Sequence, residues 1–480
     1  CSKDQVDAEI IISRLENLGM KKVSEPDDAE LIVINTCGFI ESAKKESLNA
    51  LMDARVAYPD AKILLSGCLA ERYAELFTTD LPEADAIFGN GDLQKIDDVI
   101  HSLENGDRPV VTPPQIGVCG GDRHELLNFP GSAYIKITEG CNNCCSFCAI
   151  PVIRGELRSR SSDEIINEIK ALLKRGVFEF NLIGQDLAAY GRDGVKRGAT
   201  GDVIFSSEPS PLKQLLERIS ALKGDFWIRL LYIHPDHFPR DIIPVIKADK
   251  RILHYFDIPF QSGDDAIIKS MNRVGTAKGY LELVHTLRTE LAEFAGVGIR
   301  PNPAVAIRTT FLCGFPGEND AAAENTKNFL QEIEPDWSGC FTYSLEEDTK
   351  AYTMPNPVSE SIANKRAEIL RDLQTTITTE RLKRHIGKEY RVLIEEIVPS
   401  RQKPALDDDG SELQVPESKQ TAEGLAIGRA WFQAPDVDGA CVVRYELESP
   451  KDVKAMVPGK TVTVRVLSVS GVDLDTLLLA

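Results

Sequence analysis

EGCNNCCSFCAIPVIRGELRSR, residues 139 to 160, decides how this chain is read. It carries Cys141, Cys145 and Cys148 in the pattern C-x3-C-x2-C, directly behind the apolar run YIKIT at 134–138. Three thiolates on one short loop can hold three irons of a 4Fe–4S cluster and leave the fourth iron open to an outside ligand, an arrangement for catalysis rather than storage. Two other readings compete. Cys141 with Cys144 and Cys145 with Cys148 are both C-x2-C pairs, a zinc spacing, but zinc ribbons set their pairs about 12 or more residues apart, and adjacent pairs strain to close one tetrahedron. The remaining reading is a casual cluster of reduced thiols.

Outward from this loop, βα alternation continues through FEFNLI (178–183), FWIRLLYI (226–233), YFDIPF (255–260), IRTTFL (307–312) and CFTYSL (340–345), each backed by a helical stretch. With YIKIT these make six units, which predict a partial, open barrel of parallel strands with its chemistry at the strand carboxyl ends. Upstream, residues 1–105 alternate a helix near 5–18, LIVIN at 31–35, a helix from Glu41, KILLSG at 62–67, a helix around 71–77 and DAIFGNG near 85. Short buried strands between helices predict a separate parallel-sheet α/β domain. Cys37 and Cys68 each stand just past a strand's carboxyl end, where open α/β sheets bind ligands. Cys1 stands where an earlier strand would end, so the three thiols can converge on one rim. The start at Cys1 instead of Met, followed at once by helical sequence, reads as a truncated or processed N-terminus.

The Gly- and Pro-rich stretch 106–128 lacks periodicity and reads as a linker. The barrel then occupies 129–385 and closes with a long polar helix over 359–388. Residues 386–480 hold YRVLIEEI, GLAIGRAWF, ACVVRYEL and KTVTVRVLSV, the pattern of a small antiparallel β-barrel, interrupted by an acidic, surface-disordered insertion at 401–423. The fold class is α/β with three domains, which suits 480 residues at about 150 per domain.

Composition excludes several functions. Acidic residues exceed basic ones by 74 − 55 = 19, which disfavours wholesale coating of nucleic acid or anionic lipid and accommodates a basic partner. No apolar run approaches the ~18 residues of a membrane span and no secretory start is present, so the expected location is cytosolic. Eleven cysteines in a reducing compartment are metal or redox groups before they are disulfides.

C-x3-C-x2-C with Phe147 before its last cysteine, at the end of the first strand of six βα units, resembles the radical S-adenosylmethionine (SAM) enzymes. Cys1, INTCGFIESA around Cys37 and SGCLAERY around Cys68 resemble the methylthiotransferase branch. CSK at 1–3, CGFIESAKKES at 37–47, CLAERY at 68–73 and AIGRAWFQAPDVDGA at 426–440 are similar to its RimO-type members, which modify an aspartate of ribosomal protein S-twelve; MiaB-type members, which modify adenosine in tRNA, are the alternative. Charge favours the first: from Ile386 onward 11 Lys and Arg face 16 Asp and Glu, a net of −5, whereas an RNA-gripping barrel should be basic. A third reading, an iron–sulfur scaffold without catalysis, is opposed by the complete cysteine trio beside the SAM-contact strands.

The resemblance implies two 4Fe–4S clusters and SAM. Cys141, Cys145 and Cys148 would hold the cluster whose free iron takes SAM, giving on reduction a 5′-deoxyadenosyl radical. Cys1, Cys37 and Cys68 would hold an auxiliary cluster carrying the sulfur that is methylated and placed on the aspartate β-carbon. Gly184, Gln185 and Asp186 match the segment that meets the SAM amino group, Gln261 faces the ribose and substrate, Arg273 could pair with the SAM carboxylate, and Gly314 in TTFLCGFPGE would let the backbone approach the adenine. The C-terminal domain, a TRAM domain, would grip the substrate. An electron donor is expected as partner, nucleic acid is not expected as substrate, and the chain is expected to be monomeric. The sequence departs from the family's pattern in three places: Asp4 in CSKD where relatives carry Asn, Cys144, expected to be a bystander, and Asp348 where relatives tend to have Gly. IRPNPAVA at 299–306 reads as a small insertion, and Cys119, Cys313, Cys340 and Cys441 as structural.

Overall fold

The structure, a computed structural model, describes residues 1–118, 120–194, 209–292, 305–399 and 423–479. Cys119, residues 299–304 of the 299–306 insertion and all but the last residue of the acidic insertion 401–423 lie outside the described residues.

The N-terminal sheet is parallel in the order β1 (Leu31–Thr36), β2 (Lys62–Gly67), β3 (Ala86–Phe88) and β4 (Val110–Val111). Five of the six β2 residues are buried, as expected of a strand covered on both faces. Helix α1 (Ser2–Asn17) precedes the sheet, α2 (Glu41–Ala57) follows β1, and α3 (Cys68–Asp80) leaves β2 without an intervening loop. The stretch 106–128 is therefore not only a linker: it supplies β4, whose two residues are too short to show a period.

The central sheet begins with β5 (Ser132–Lys136), is followed by a two-residue hairpin of β6 (Thr138–Glu139) with β7 (Arg158–Ser159), and continues through β8 (Glu179–Ile183), β9 (Trp227–Leu230), β10 (Ile252–Asp257), β11 (Ala306–Cys313) and β12 (Trp337–Thr342). The large strands are all parallel in the order β12-β11-β10-β9-β8-β5, an open six-stranded barrel. Because side chains alternate across a strand, Ala133, Ile135, Phe180, Leu182, Ile228, Leu230 and Ile307 pack into the outer helices. Tyr134, Trp227, Tyr255, Ala306 and Trp337 face the other way, into a core shared with α1 and the C-terminal domain.

That domain is a closed barrel of β13 (Glu389–Val398), β14 (Glu423–Arg429), β15 (Cys441–Glu446), β16 (Thr461–Ser470) and β17 (Asp473–Leu478) in the order β13-β14-β15-β17-β16. It differs from the expected antiparallel barrel in one pairing: β15 and β17 run parallel, and β17, DLDTLL, closes the ring. The turn after β14 enters the central barrel at the amino ends of its strands. There Trp337 Nε1 donates to the Phe432 carbonyl at 2.8 Å, Tyr134 Oη to Asp436 at 3.0 Å and Tyr255 Oη to Asp438 at 2.6 Å. Beneath them Glu179, fully buried, pairs with Arg229 at 2.8 Å and with Arg429 of β14 at 2.7 Å. The stretch AIGRAWFQAPDVDGA is thus a plug in the barrel floor, opposite the cysteine loop. Among the described residues no helix is long and apolar enough to cross a membrane.

Candidate functional site

The 141–148 loop is fixed by backbone and side-chain bonds that leave its thiols inward. The Cys141 amide donates to Gly155 O at 3.1 Å, Ser146 exchanges backbone bonds with Met271 and Ala351, and Asn142 Oδ1 accepts from the Leu157 amide at 3.0 Å. Burial raises the thiol pKa of Cys141 and Cys148, and the neighbouring thiols add to it, taking Cys148 up to about 12. The loop already aims an N–H group at sulfur, from the Asn143 amide to Cys141 at 3.4 Å. His234 Nε2 stands 3.8 Å from Cys145 Sγ. Cys144 turns away, exposed, with φ +45, a left-handed conformation costly for any side chain.

The expected SAM-contact residues surround this loop with different commitments. A Cβ at Gly184 would meet Thr138 Oγ1 at 2.0 Å. Gln185 donates to Glu139 at 3.2 Å while its Oε1, like Thr138 Oγ1, is buried without a protein partner. Asp186 is spent within the protein, accepting from Asn143 Nδ2 at 2.7 Å, His237 Nε2 at 2.5 Å and the amides of Ala188 and His234. Against the desolvation that burial imposes, His237 holds its carboxyl well below the usual range. Gln261 adopts φ +71 while its backbone bridges to β11, receiving from Leu312 N and donating to Thr310 O. Arg273 is buried and donates to the carbonyls of Pro259 at 2.6 Å and Phe260 at 3.2 Å, leaving Nε without a partner. At Gly314 the close approach is to protein: φ is +81 and a Cβ would stand 2.3 Å from Ala363 Cβ of the long helix Glu360–Leu382. Asp348 also takes a left-handed φ of +63, a conformation that glycine adopts without steric cost.

The other three thiols gather around Asp4. Cys1 caps α1 and donates to Asp4 Oδ2 at 3.4 Å; Cys68, first residue of α3, donates to Asp4 Oδ1 at 3.2 Å. Cys37 follows β1, and both Asp4 and the amino terminus act on its thiol, whose pKa burial raises first. The chain beyond Cys37 runs directly against Cys68, because a Cβ at Gly38 would stand 2.7 Å from the Cys68 carbonyl. Asn90 Nδ2 and Arg154 Nη2 point N–H groups at Cys68 Sγ at 3.3 and 3.2 Å.

Arg154 joins the two groups. It ends the short helix Ile150–Arg154 that follows Cys148, and Ala149 and Ile153 of that segment pack on Cys68. Its guanidinium also reaches Asp4 at 2.5 Å, Asp7 at 3.0 Å and Glu139 at 2.8 Å, and Lys136 completes the buried set with Asp7 at 2.5 Å and Glu139 at 2.6 Å. The sequence offered no signal for this network, since its members are polar residues far apart in the chain. Both donor sets offer the three thiols that an iron–sulfur cube with one open iron needs; Cys68 is buried, Cys1 is exposed and the other four are half-buried, and N–H groups meet the sulfurs of Cys68 and Cys141. Among the described residues no group of three His, Cys, Asp or Glu converges tightly enough for a single metal ion.

Known proteins match along the whole chain. Residues 1–89 fit the Uncharacterized protein family UPF0004, residues 135–330 the Radical SAM superfamily and residues 410–476 the TRAM domain. The ribosomal protein uS12 methylthiotransferase RimO of Treponema denticola is 49% identical, with 99% of this chain and 98% of that protein aligned. The chain belongs to the RimO family. The RimO of Natranaerobius thermophilus is 37% identical over 92% of this chain and 91% of its own. Among solved structures, the radical S-adenosylmethionine methyltransferase TsrM of Kitasatospora setae aligns at TM-score 0.49 and 13% identity, covering 72% of this chain and 70% of that one. As a RimO family member the chain is a radical SAM methylthiotransferase, whose cofactors are SAM and 4Fe–4S clusters.

Proposed function

We propose that this chain places a methylthio group on the β-carbon of an aspartate in ribosomal protein uS12. The observation that carries the reading is that the helix leaving the Cys148 loop, Ile150–Arg154, packs on and hydrogen-bonds to Cys68, a member of the second cysteine trio. Cys141, Cys145 and Cys148 hold the cluster that takes SAM, and Cys1, Cys37 and Cys68 hold the auxiliary one. With these groups bound the site supplies radical hydrogen abstraction and a cluster-borne sulfur. The protein's part is placement. Gln185 Oε1, Thr138 Oγ1 and Arg273 Nε, buried without protein partners, are free to receive the amino and carboxylate groups of SAM, with Gly184 keeping the approach open and Gln261 at the strand end beside them. Asp186 acts one step back, fixing Asn143 and His237. Gly314 fits the packing of the long helix better than an adenine contact.

The domains divide as 1–105, a linker at 106–128 that also lends β4 to the first sheet, 129–385 and 386–480. The acidic C-terminal domain suits a basic ribosomal protein better than RNA. The chain works as a cytoplasmic monomer, supplied with electrons by a separate reductant.

Anaerobic reconstitution tests the cluster assignment: roughly eight irons in the wild type, falling to roughly four when Cys141, Cys145 and Cys148 are all changed to Ala. Four irons in the wild type defeat it. Incubation with SAM, reductant and either uS12 or tRNA, read by mass, distinguishes the substrates. A methylthio increment on tRNA alone sinks the protein-substrate reading.

A further inference from the structure

We infer that Arg154 is a positioning residue for the auxiliary cluster, acting from the barrel side and shifting that cluster towards easier reduction, while Asp4 opposes it. The inference rests on Cys1, Cys37 and Cys68 holding that cluster. Arg154 is 2% exposed and its two nitrogens serve different directions: Nη2 faces Asp4 and the Cys68 sulfur, and Nη1 faces Asp7 and Glu139. A planar guanidinium can span these four groups at once; an ammonium of similar reach cannot.

The local charge makes the direction of the effect readable. Three carboxylates, Asp4, Asp7 and Glu139, meet two cations, Arg154 and Lys136, within this buried set. Ligation to iron turns Cys1 and Cys68 into thiolates, which no longer donate to Asp4. Arg154 then remains as a donor to Asp4 Oδ1 and to the Cys68 sulfur. A charged N–H directed at a ligating sulfur withdraws electron density and stabilises the reduced, more negative cluster, raising its potential. A carboxylate 3.2 and 3.4 Å from two of the sulfurs does the reverse. Arg154 also belongs to the helix that leaves the SAM-cluster loop, so one side chain fixes the auxiliary cluster's ligand relative to that loop.

The test uses the full chain with Cys141, Cys145 and Cys148 changed to Ala, reconstituted anaerobically, so that the auxiliary cluster alone contributes. Iron is counted first, and the midpoint potential is then followed by electron paramagnetic resonance during reductive titration. Arg154→Lys is expected to lower the midpoint and Asp4→Asn to raise it, each with iron retained. Should Arg154→Lys fail to reconstitute, the sign of the Asp4→Asn shift decides alone, because Asn fits the Asp4 volume. About four irons with an unmoved or lowered midpoint in Asp4→Asn, or with both variants shifting the same way, overturns the inference. Absence of iron from the parent triple variant overturns the cluster assignment instead, and the inference with it.

Discussion

Gly314 shows how a single position can be assigned by what its missing side chain would strike. Its turn in TTFLCGFPGE was legible in the sequence, but its neighbour was not, because Ala363 lies on a helix that begins some fifty residues later. Gly314→Ala is expected to cost about 1–3 kcal/mol through its left-handed φ and the clash, visible as a lower thermal midpoint. Adding Ala363→Gly should recover the part due to the clash. No recovery would return the position to a ligand role. Cys144 is the opposite case, a side chain on a backbone that suits glycine. Cys144→Gly should keep the full iron content and equal or raise the melting temperature, as iron assay and calorimetry would show; a loss of iron would make Cys144 a ligand.

Among the elements, the plug after β14 departs furthest from its sequence reading. AWFQAPDVDGA reads as a strand end and turn of the tail barrel, and its residues do form that turn, yet Phe432, Gln433, Ala434 and Pro435 are buried and Asp436 and Val437 alone reach solvent as exposed residues. Pattern reports which residues are apolar, not which sheet will cover them. Asp438 is the measurable consequence. Burial pushes its carboxyl up to about 6, above the ordinary 3.8, although Arg308 and Tyr255 oppose the shift. A raised folded pKa means stability that is complete below about pH 4 and declines as pH rises through 6, by about 3 kcal/mol in all. Asp438→Asn should remove that slope. Urea denaturation of both proteins between pH 4 and 7 checks it: the stability difference between them must change across this window, and a constant difference refutes the argument. The short β4 and the polar-striped β17 escaped the sequence reading for related reasons, one lacking length and the other carrying Asp at alternate positions.

Across the whole molecule, buried ion pairs join the domains alongside a shared apolar core. The six strands were legible because each repeats a local period, and the C-x3-C-x2-C loop because its spacing is local; Cys1, Cys37 and Cys68 could be grouped only by their places at strand ends and by resemblance. The contact of Asp4 with Arg154, 150 positions apart, could not be read this way. Glu179 is the corresponding joint at the floor. Against the cost of burying it, Arg429 and Arg229 hold its carboxyl well below the usual range. Glu179→Gln leaves two buried guanidinium groups short of charge and should destabilise the docked state by about 3–5 kcal/mol. In calorimetry the C-terminal domain should then melt apart from the barrel; a single unshifted transition would contradict the coupling.

The floor plug also imposes an order on synthesis. A ribosome releases the six-stranded sheet well before Phe432 and its neighbours exist, so Tyr134, Trp227, Tyr255 and Trp337 spend that interval wet on one side. A chain halted just after the helix Glu360–Leu382 would never bury this aromatic face, and should accumulate as insoluble aggregate instead of a smaller working enzyme.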